Sequence, residues 1–257
     1  MKFTLARPIK AVDDHLKLLA NTEVLVQEKL NGWRACIGIT ATGEVQAWSR
    51  SGKRLQIEDR IVRSVEGLPH DTWLDGELLD TGYHIFDILT VAGEDTRKLS
   101  LKKRYVLVRA TPWPRGLYSV PGDMGLLRDL AHLLHPQKDG QEGVVIKPLA
   151  GTYGAPWYKR KFVKHCTAIL TATEGESADI ALYHSSGGLV PVCGLKVPPG
   201  LPLGTLVEVE YLRVSDDLRL VEPIFKGVRD DVERRDCTLS QLEISPERSL
   251  SCPALVP

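Results

Sequence analysis

Glu28-Lys29-Leu30-Asn31-Gly32-Trp33-Arg34 is the stretch from which the fold of this chain can be read. It follows Val24, Leu25 and Val26, which suit a β-strand, and leads into Ala35-Cys36-Ile37-Gly38-Ile39, which reads as a returning strand. Asn-Gly between two apolar runs is a hairpin signal, because both residues tolerate the positive φ angles of a tight turn. The sequence therefore predicts Lys29 on a β-hairpin that fixes where its amine points. A free lysine is neutral in only roughly one molecule in a few thousand at pH 7, so a nucleophilic lysine needs burial or neighbouring cations to shed its proton.

Working outward, Val45 to Ser49 predicts a third strand after a Thr42-Gly43 turn, and Ile57, Ile61, Val62 and Val65 repeat at helical spacing. Trp73 to Leu79 and Tyr83 to Leu89 read as strands joined by Asp80-Thr81-Gly82. Leu126, Leu127, Leu130, Leu133 and Leu134 predict an apolar helical stripe, followed by strands at Gly143 to Lys147 and around Trp157 to Phe162. Residues 1–165 thus read as a mixed α+β domain with largely antiparallel strands.

Beyond His165 the helical period vanishes. Five strand-like segments follow, Thr167 to Thr173, Ile180 to His184, Val190 to Val197, Thr205 to Val214 and Leu218 to Phe225, separated by Gly, Pro, Ser and Asp clusters. Five short strands suit an all-β OB-type barrel over 166–243, although an SH3-like barrel would leave a similar trace. The Pro- and Ser-rich tail, 244–257, reads as loosely ordered.

Composition narrows the class. The chain has 257 residues, 43% hydrophobic and 26% charged, which is ordinary for a globular protein of two domains. Thirty-three basic residues balance thirty-three acidic ones, so any affinity for nucleic acid must come from a local basic patch. Cys36, Cys166, Cys193, Cys237 and Cys252 are widely spaced, with no C-x-x-C pair, and read as reduced thiols. Met1 to Pro8 has no apolar h-region, and no run reaches the ~18 apolar residues of a membrane helix; the expectation is a cytoplasmic monomer. His132 and His135 have metal-ligand spacing but lie in the leucine-rich run, where a packing role is the simpler reading.

Three further clusters put charge on strands: Asp75-Gly76-Glu77, Glu142-Gly143-Val144-Val145-Ile146-Lys147, and Trp157-Tyr158-Lys159-Arg160-Lys161. A strand's period of two sends Lys159 and Lys161 to one face, where two ammonium groups make sense opposite an anion such as phosphate. Glu77 and Glu142 stand among apolar residues, as carboxylates do when they hold a divalent ion or a sugar hydroxyl at a pocket wall.

The order of these clusters, a lysine followed by Asn-Gly, an Asp-Gly-Glu strand, an aromatic-Asp strand, Glu-Gly-x-x-x-Lys, Trp-x-Lys-x-Lys and then a small barrel, resembles the covalent nucleotidyltransferases: ATP-dependent DNA ligases, RNA ligases and mRNA capping enzymes. Lys29 to Arg34 resembles the ligase motif K-x-D-G-x-R, with Asn31 in place of the usual Asp, and Trp48-Ser49-Arg50-Ser51-Gly52 resembles the ligase segment S-R-x-G. The ligase pattern R-x-D-K is met only in part by Arg229-Asp230-Asp231-Val232, which lacks the lysine.

The resemblance, over residues 5 to 235, implies an ATP-grasp-like adenylation domain followed by an OB-fold domain. It implies Lys29 as the nucleophile, Arg34 and Glu77 at the ribose, Phe86 on the base and Gln27 at the adenine edge. Glu142 would hold the metal, with Glu77 as a second ligand. Lys147, Lys159, Lys161 and Arg229 would contact the nucleotide's phosphates, and Arg50 the 5′-phosphate of a nick. The implied activity is a minimal ATP-dependent DNA ligase working on nicked double-stranded DNA in repair or replication, with ATP and magnesium or manganese. An RNA ligase or capping guanylyltransferase would share the lysine adduct. A non-catalytic nucleic-acid-binding protein would not need the lysines and carboxylates together.

Overall fold

The computed structural model describes residues 5–138 and 140–242, and the chain divides into two compact units. The first takes the chain as far as Gln137 and again from Gln141 to Lys161; the second takes it from Phe162 onward, together with the short stretch 138–140.

The first unit runs β1 (Ile9–Lys10), α1 (Asp13–Leu19), β2 (Glu23–Glu28), β3 (Trp33–Ile39), β4 (Val45–Ser49) and α2 (Asp59–Glu66). It continues through β5 (Thr72–Leu79), β6 (Gly82–Val91), β7 (Glu94–Asp95), α3 (Leu101–Ala110), β8 (Leu117–Ser119), β9 (Gly122–Leu126), β10 (Gly143–Pro148) and β11 (Tyr158–Lys161). Two sheets result. One has the order β1-β11-β10-β2-β9; the other has the order β4-β3-β5-β6-β7, with β8 added to β6. Pairing is antiparallel except for β1 with β11 and β6 with β8.

The predicted hairpin does not form. β2 pairs with β10 and β9, while β3 pairs with β4 and β5, so Lys29 to Gly32 carry the chain from one sheet to the other. Val24, Leu25 and Val26 are buried in succession, as in a strand covered on both faces, and neither Asn31 nor Gly32 takes a positive φ. Gly32 is needed for close approach instead. A Cβ there would lie 2.3 Å from the Leu78 carbonyl oxygen, so only glycine lets the crossing segment press onto β5.

The predicted leucine helix is also absent. Leu126 ends β9 opposite Glu23, and only a short 3-10 turn, Ala131–Leu134, follows. The open edge of β2 claims residues 122–126 as a strand, which takes Leu126 out of the stripe. Of the stripe only Leu127 and Leu134 are buried, and His132 and His135 are exposed. The helical spacing from Ile57 to Val65 corresponds to α2, which buries Ile61 and Val65 against β3 and β6 residues such as Ile37 and Ile85.

α3 ties the two sheets together. Leu101 and Tyr105 pack with Leu25 and Leu149, while Val108 joins the core of the second sheet. From the same helix Arg104, fully buried, makes a two-pronged ion pair with Asp87 on β6, Nε to Oδ1 at 2.7 Å and Nη2 to Oδ2 at 3.0 Å.

The second unit is all strand apart from two 3-10 turns among the described residues: β12 (Lys164–Glu174), β13 (Ser177–Tyr183), β14 (Leu189–Lys196), β15 (Leu206–Tyr211), β16 (Arg213–Val214), β17 (Leu220–Val221) and β18 (Ile224–Val228). A five-stranded antiparallel sheet of order β14-β13-β12-β15-β18 surrounds Ile169, Ile180, Val192, Val207 and Tyr211, and β16 and β17 form a separate pair. The last two predicted strands are each broken in two. Cys36, Cys166, Cys193 and Cys237 are buried and free; Cys252 and the tail 244–257 lie outside the described residues. No helix among the described residues is long and apolar enough to cross a membrane.

Arg104→Met should destabilise the protein by about 3–5 kcal/mol, because it leaves the Asp87 carboxylate buried without its cation. Replacing both partners with apolar residues should cost less than Arg104→Met alone. Urea unfolding of the two variants checks this order.

Candidate active site

Register decides which side chains share a wall. Gln27, Val145 and Lys159 stand opposite one another across β2, β10 and β11, as do Leu25 with Lys147 and Gly143 with Lys161. Since facing residues of antiparallel strands project to the same side, Gln27, Lys147, Lys159 and Lys161 line one face of the first sheet. Lys29 comes just past the end of β2, its N–H donating to the Gly143 carbonyl at 2.8 Å. Gly143 has a φ of +154°, and a Cβ there would meet the Arg160 carbonyl oxygen at 2.1 Å. The glycine thus lets β10 start hard against β11, which brings Glu142 between two lysines.

Glu142 is the centre of the first cluster. Its Oε1 lies 2.5 Å from Lys29 Nζ and 3.3 Å from Lys161 Nζ, with the carboxylate side chain 3% exposed. Its Oε2 is buried and has no hydrogen-bond partner. A buried carboxylate oxygen without a donor is costly, and a bound cation would satisfy it. Among the described residues no three His, Cys, Asp or Glu side chains converge to hold a metal by themselves, so a divalent ion here would need oxygens from a ligand such as a polyphosphate.

The second sheet supplies the other cluster. Arg34 stands opposite Glu77, and Cys36 opposite Asp75. Asp75 clamps Arg34, Oδ1 to Nε at 3.0 Å and Oδ2 to Nη2 at 2.6 Å, and accepts the Tyr153 hydroxyl at 2.6 Å. The remaining edge of the guanidinium donates to the Ala6 carbonyl. Phe86 and Trp157 meet edge to face, their ring centroids 5.9 Å apart. Lys147 Nζ lies 4.5 Å from the Phe86 centroid and 4.0 Å from that of Trp157, and donates to Gln27 Oε1 at 2.7 Å. Gln27 Nε2 in turn donates to the Val120 carbonyl at 2.9 Å, which fixes the amide's orientation.

Two groups titrate out of range. Burial pushes the Lys147 amine down to about 7, with Asp87 and Asp75 pulling the other way. Burial pushes the Glu77 carboxyl up to about 7, against the charges of Lys29 and Arg34. Glu77 therefore feels both clusters.

Of the residues singled out from sequence, Lys29, Glu142 and Lys161 touch one another, and Gln27, Lys147, Phe86 and Arg34 form the second group with Glu77 beside it. Lys159 is half-exposed on the same face. Lys147 stands four residues from Gly143 along β10, with the aromatic pair rather than with Lys161. Arg50 is exposed on the turn after β4. Arg229 belongs to the second unit, where it pairs with Asp231 at 2.6 and 2.7 Å. Sequence reasoning gave no role to Asp75, Asp87, Arg104 or Tyr153. The signal available was two aspartates within apolar strands, which the fold sets opposite each other on β5 and β6. A cleft of about 170 Å³, lined by Gln27, Glu28, Asp123, Leu133 and Gln137 among others, shares Gln27 with the second cluster but includes neither Lys29 nor Phe86.

No family model and no curated protein sequence matches the chain. Solved structures do. A structure from a study of DNA binding with a minimal scaffold by Lig E DNA ligases has a TM-score of 0.62 at 15% identity, over 89% of this chain and 100% of its own. Two structures described as Pmar-Lig_PreS3 and Pmar-Lig_Pre have TM-scores of 0.66 and 0.67, each at 18% identity over 88% of this chain and 68% of theirs. At these identities the likeness is one of fold, and this chain shares the fold of those structures.

Glu77 gives the site a pH signature. Its native pKa of about 7 lies above its ordinary value of 4.5, so the folded state holds the proton more tightly than the unfolded chain. The contribution to stability is therefore present at low pH and is lost as pH rises towards about 7, then stays constant. Glu77→Gln should remove this dependence, so its stability relative to the parent should rise across that window. Denaturant titrations at closely spaced pH values measure it, and parallel curves for the two proteins would contradict it.

Proposed function

We propose that this protein is an ATP-dependent DNA ligase that seals 5′-phosphate/3′-hydroxyl nicks through a lysine–AMP intermediate and a 5′-adenylated strand. The observation that carries the reading is Lys29 Nζ against a buried Glu142 that also holds Lys161, in the same unit as a base-sized aromatic pair. The shared fold supports it, since the Lig E protein is described as a DNA ligase binding DNA with a minimal scaffold. In this reading residues 1–165 are an ATP-grasp-like adenylation domain and 166–243 an OB-fold domain. The first carries both side-chain clusters, and the second has the five antiparallel strands such a barrel requires.

In the first step Lys29 Nζ attacks the ATP α-phosphorus. A proton passes from the ammonium to Glu142 Oε1, the N–P bond forms, the amine's second proton passes to solvent, and pyrophosphate leaves with the electron pair of the broken P–O bond. Lys161 and Lys159 offset charge at the phosphates. Gln27 and Phe86 hold the adenine, and Arg34 and Glu77 the ribose. Lys147 works at the base end rather than at the phosphates, because its amine is bonded to Gln27 and lies against Phe86 and Trp157. Glu142 Oε2, with Glu77, would hold magnesium, or manganese in its place, which when bound supplies positive charge to the polyphosphate. The 5′-phosphate of the nick, held by Arg50, next displaces Lys29 from AMP, and the 3′-hydroxyl then displaces AMP. Arg229 serves the triphosphate in the first step. The working protein is a monomer of the cytoplasm, acting in repair or replication.

Lys29→Ala should lose all covalent labelling by ATP, because it removes the amine that forms the N–P bond and leaves Lys161 in its role of offsetting phosphate charge, yet should still join a nick already carrying a 5′-adenylate. Mass measurement after incubation with each nucleoside triphosphate and magnesium tests the first half and separates adenylate transfer from the guanylate transfer of capping enzymes. Labelling that survives in Lys29→Ala would remove the central assignment.

A further inference from the structure

Trp33 is 78% exposed, although it stands within the β3 ladder opposite Leu78 on β5. The other tryptophans are buried or half-buried. The indole is not on a loose loop. Gly32, next to it, packs against the Leu78 carbonyl and the Leu79 side chain so tightly that no side chain fits, which fixes the backbone from which the ring projects. A large aromatic held rigidly in water offers a flat apolar face to a ligand.

The surroundings indicate what it binds. β4 pairs with β3 as far as Ala35 opposite Ser49, and the chain then turns, with the Ser49 N–H bonded to the Lys53 carbonyl at 2.8 Å. That turn therefore lies at the same end of the sheet as Trp33. It carries Arg50 and Lys53, both exposed, and neither cation has a carboxylate partner among the described residues. An indole face beside two unpaired cations suits a base and its flanking phosphates; an apolar protein surface would leave the cations uncompensated.

We propose that Trp33 is a stacking platform for the terminal base pair at a strand break, with Arg50 and Lys53 on the adjoining phosphates; the proposal rests on the ligase reading above. An unbroken duplex holds each base step closed through two backbones, whereas at a nick one backbone is cut, so the stack opens there at lower cost and exposes a base face. The platform therefore favours nicked over intact DNA without reading sequence. Stacking on an aromatic ring is sequence-tolerant, and unlike a phosphate contact it releases no counterion.

The test is binding of the full chain to a nicked duplex that cannot be joined, and to the intact duplex of the same sequence, across a salt series. Trp33→Ala should weaken nick binding by roughly tenfold or more, leave intact-duplex binding within about twofold, and keep the salt slope. Trp33→Phe should retain most of the nick preference but lose the quenching of tryptophan emission that nicked DNA causes in the parent. Arg50→Ala should instead lower the salt slope by about one. Self-adenylation by Trp33→Ala should match the parent; its absence in the parent would sink the ligase reading separately. An equal loss for nicked and intact DNA, no loss for either, or a change in Trp33→Ala confined to self-association of the protein would overturn the proposal.

Discussion

Two buried carboxylates facing each other are the constraint around which the first unit is built. Asp75 and Asp87 sit opposite one another on β5 and β6, both with no exposed surface. Adjacent buried anions are tolerated only with cations at hand. Arg104 comes from α3 to meet Asp87, and Arg34 comes from β3 to meet Asp75. The first pairing fixes α3 to the second sheet. The second fixes the start of β3, and with it the end of the crossing segment that begins at Lys29.

With both aspartates matched, Lys147 is the surplus cation of this buried group. Its amine has an amide oxygen and two ring faces for partners, which stabilise an ammonium less than a carboxylate would, and its proton is correspondingly loose. The same group has Glu77 at its margin with a pKa displaced in the opposite direction.

Glu142 shows how backbone and charge cooperate. Gly143 lets β10 begin where β11 would exclude any side chain, and the carboxylate is thereby set between Lys29 and Lys161 with one oxygen unfilled. The arrangement joins residues far apart in the chain through a single missing Cβ. A side chain at that glycine would press on Arg160 and reach the lysine cluster through strand geometry alone.

The sequence by itself determined which segments are strands wherever apolar residues alternate or run together, as at Trp73 to Leu79 and Gly143 to Ile146, and it marked Lys29, Glu77, Glu142 and Lys161 because charge on such strands is costly without a purpose. It also marked α2, whose apolar spacing has no competing strand edge. Only the tertiary structure decided the rest. Local turn chemistry at Asn31-Gly32 points to a hairpin, but burial of β2 on both faces sends β2 and β3 to different sheets. Leucine spacing from Leu126 points to a helix, but the open edge of β2 takes Leu126 into a ladder. The partners of Arg34, Lys147 and Phe86 were equally out of reach. Asp75, Gln27 and Trp157 lie 41, 120 and 71 residues away in the chain, and long-range register, which leaves no local trace, is what brings them together.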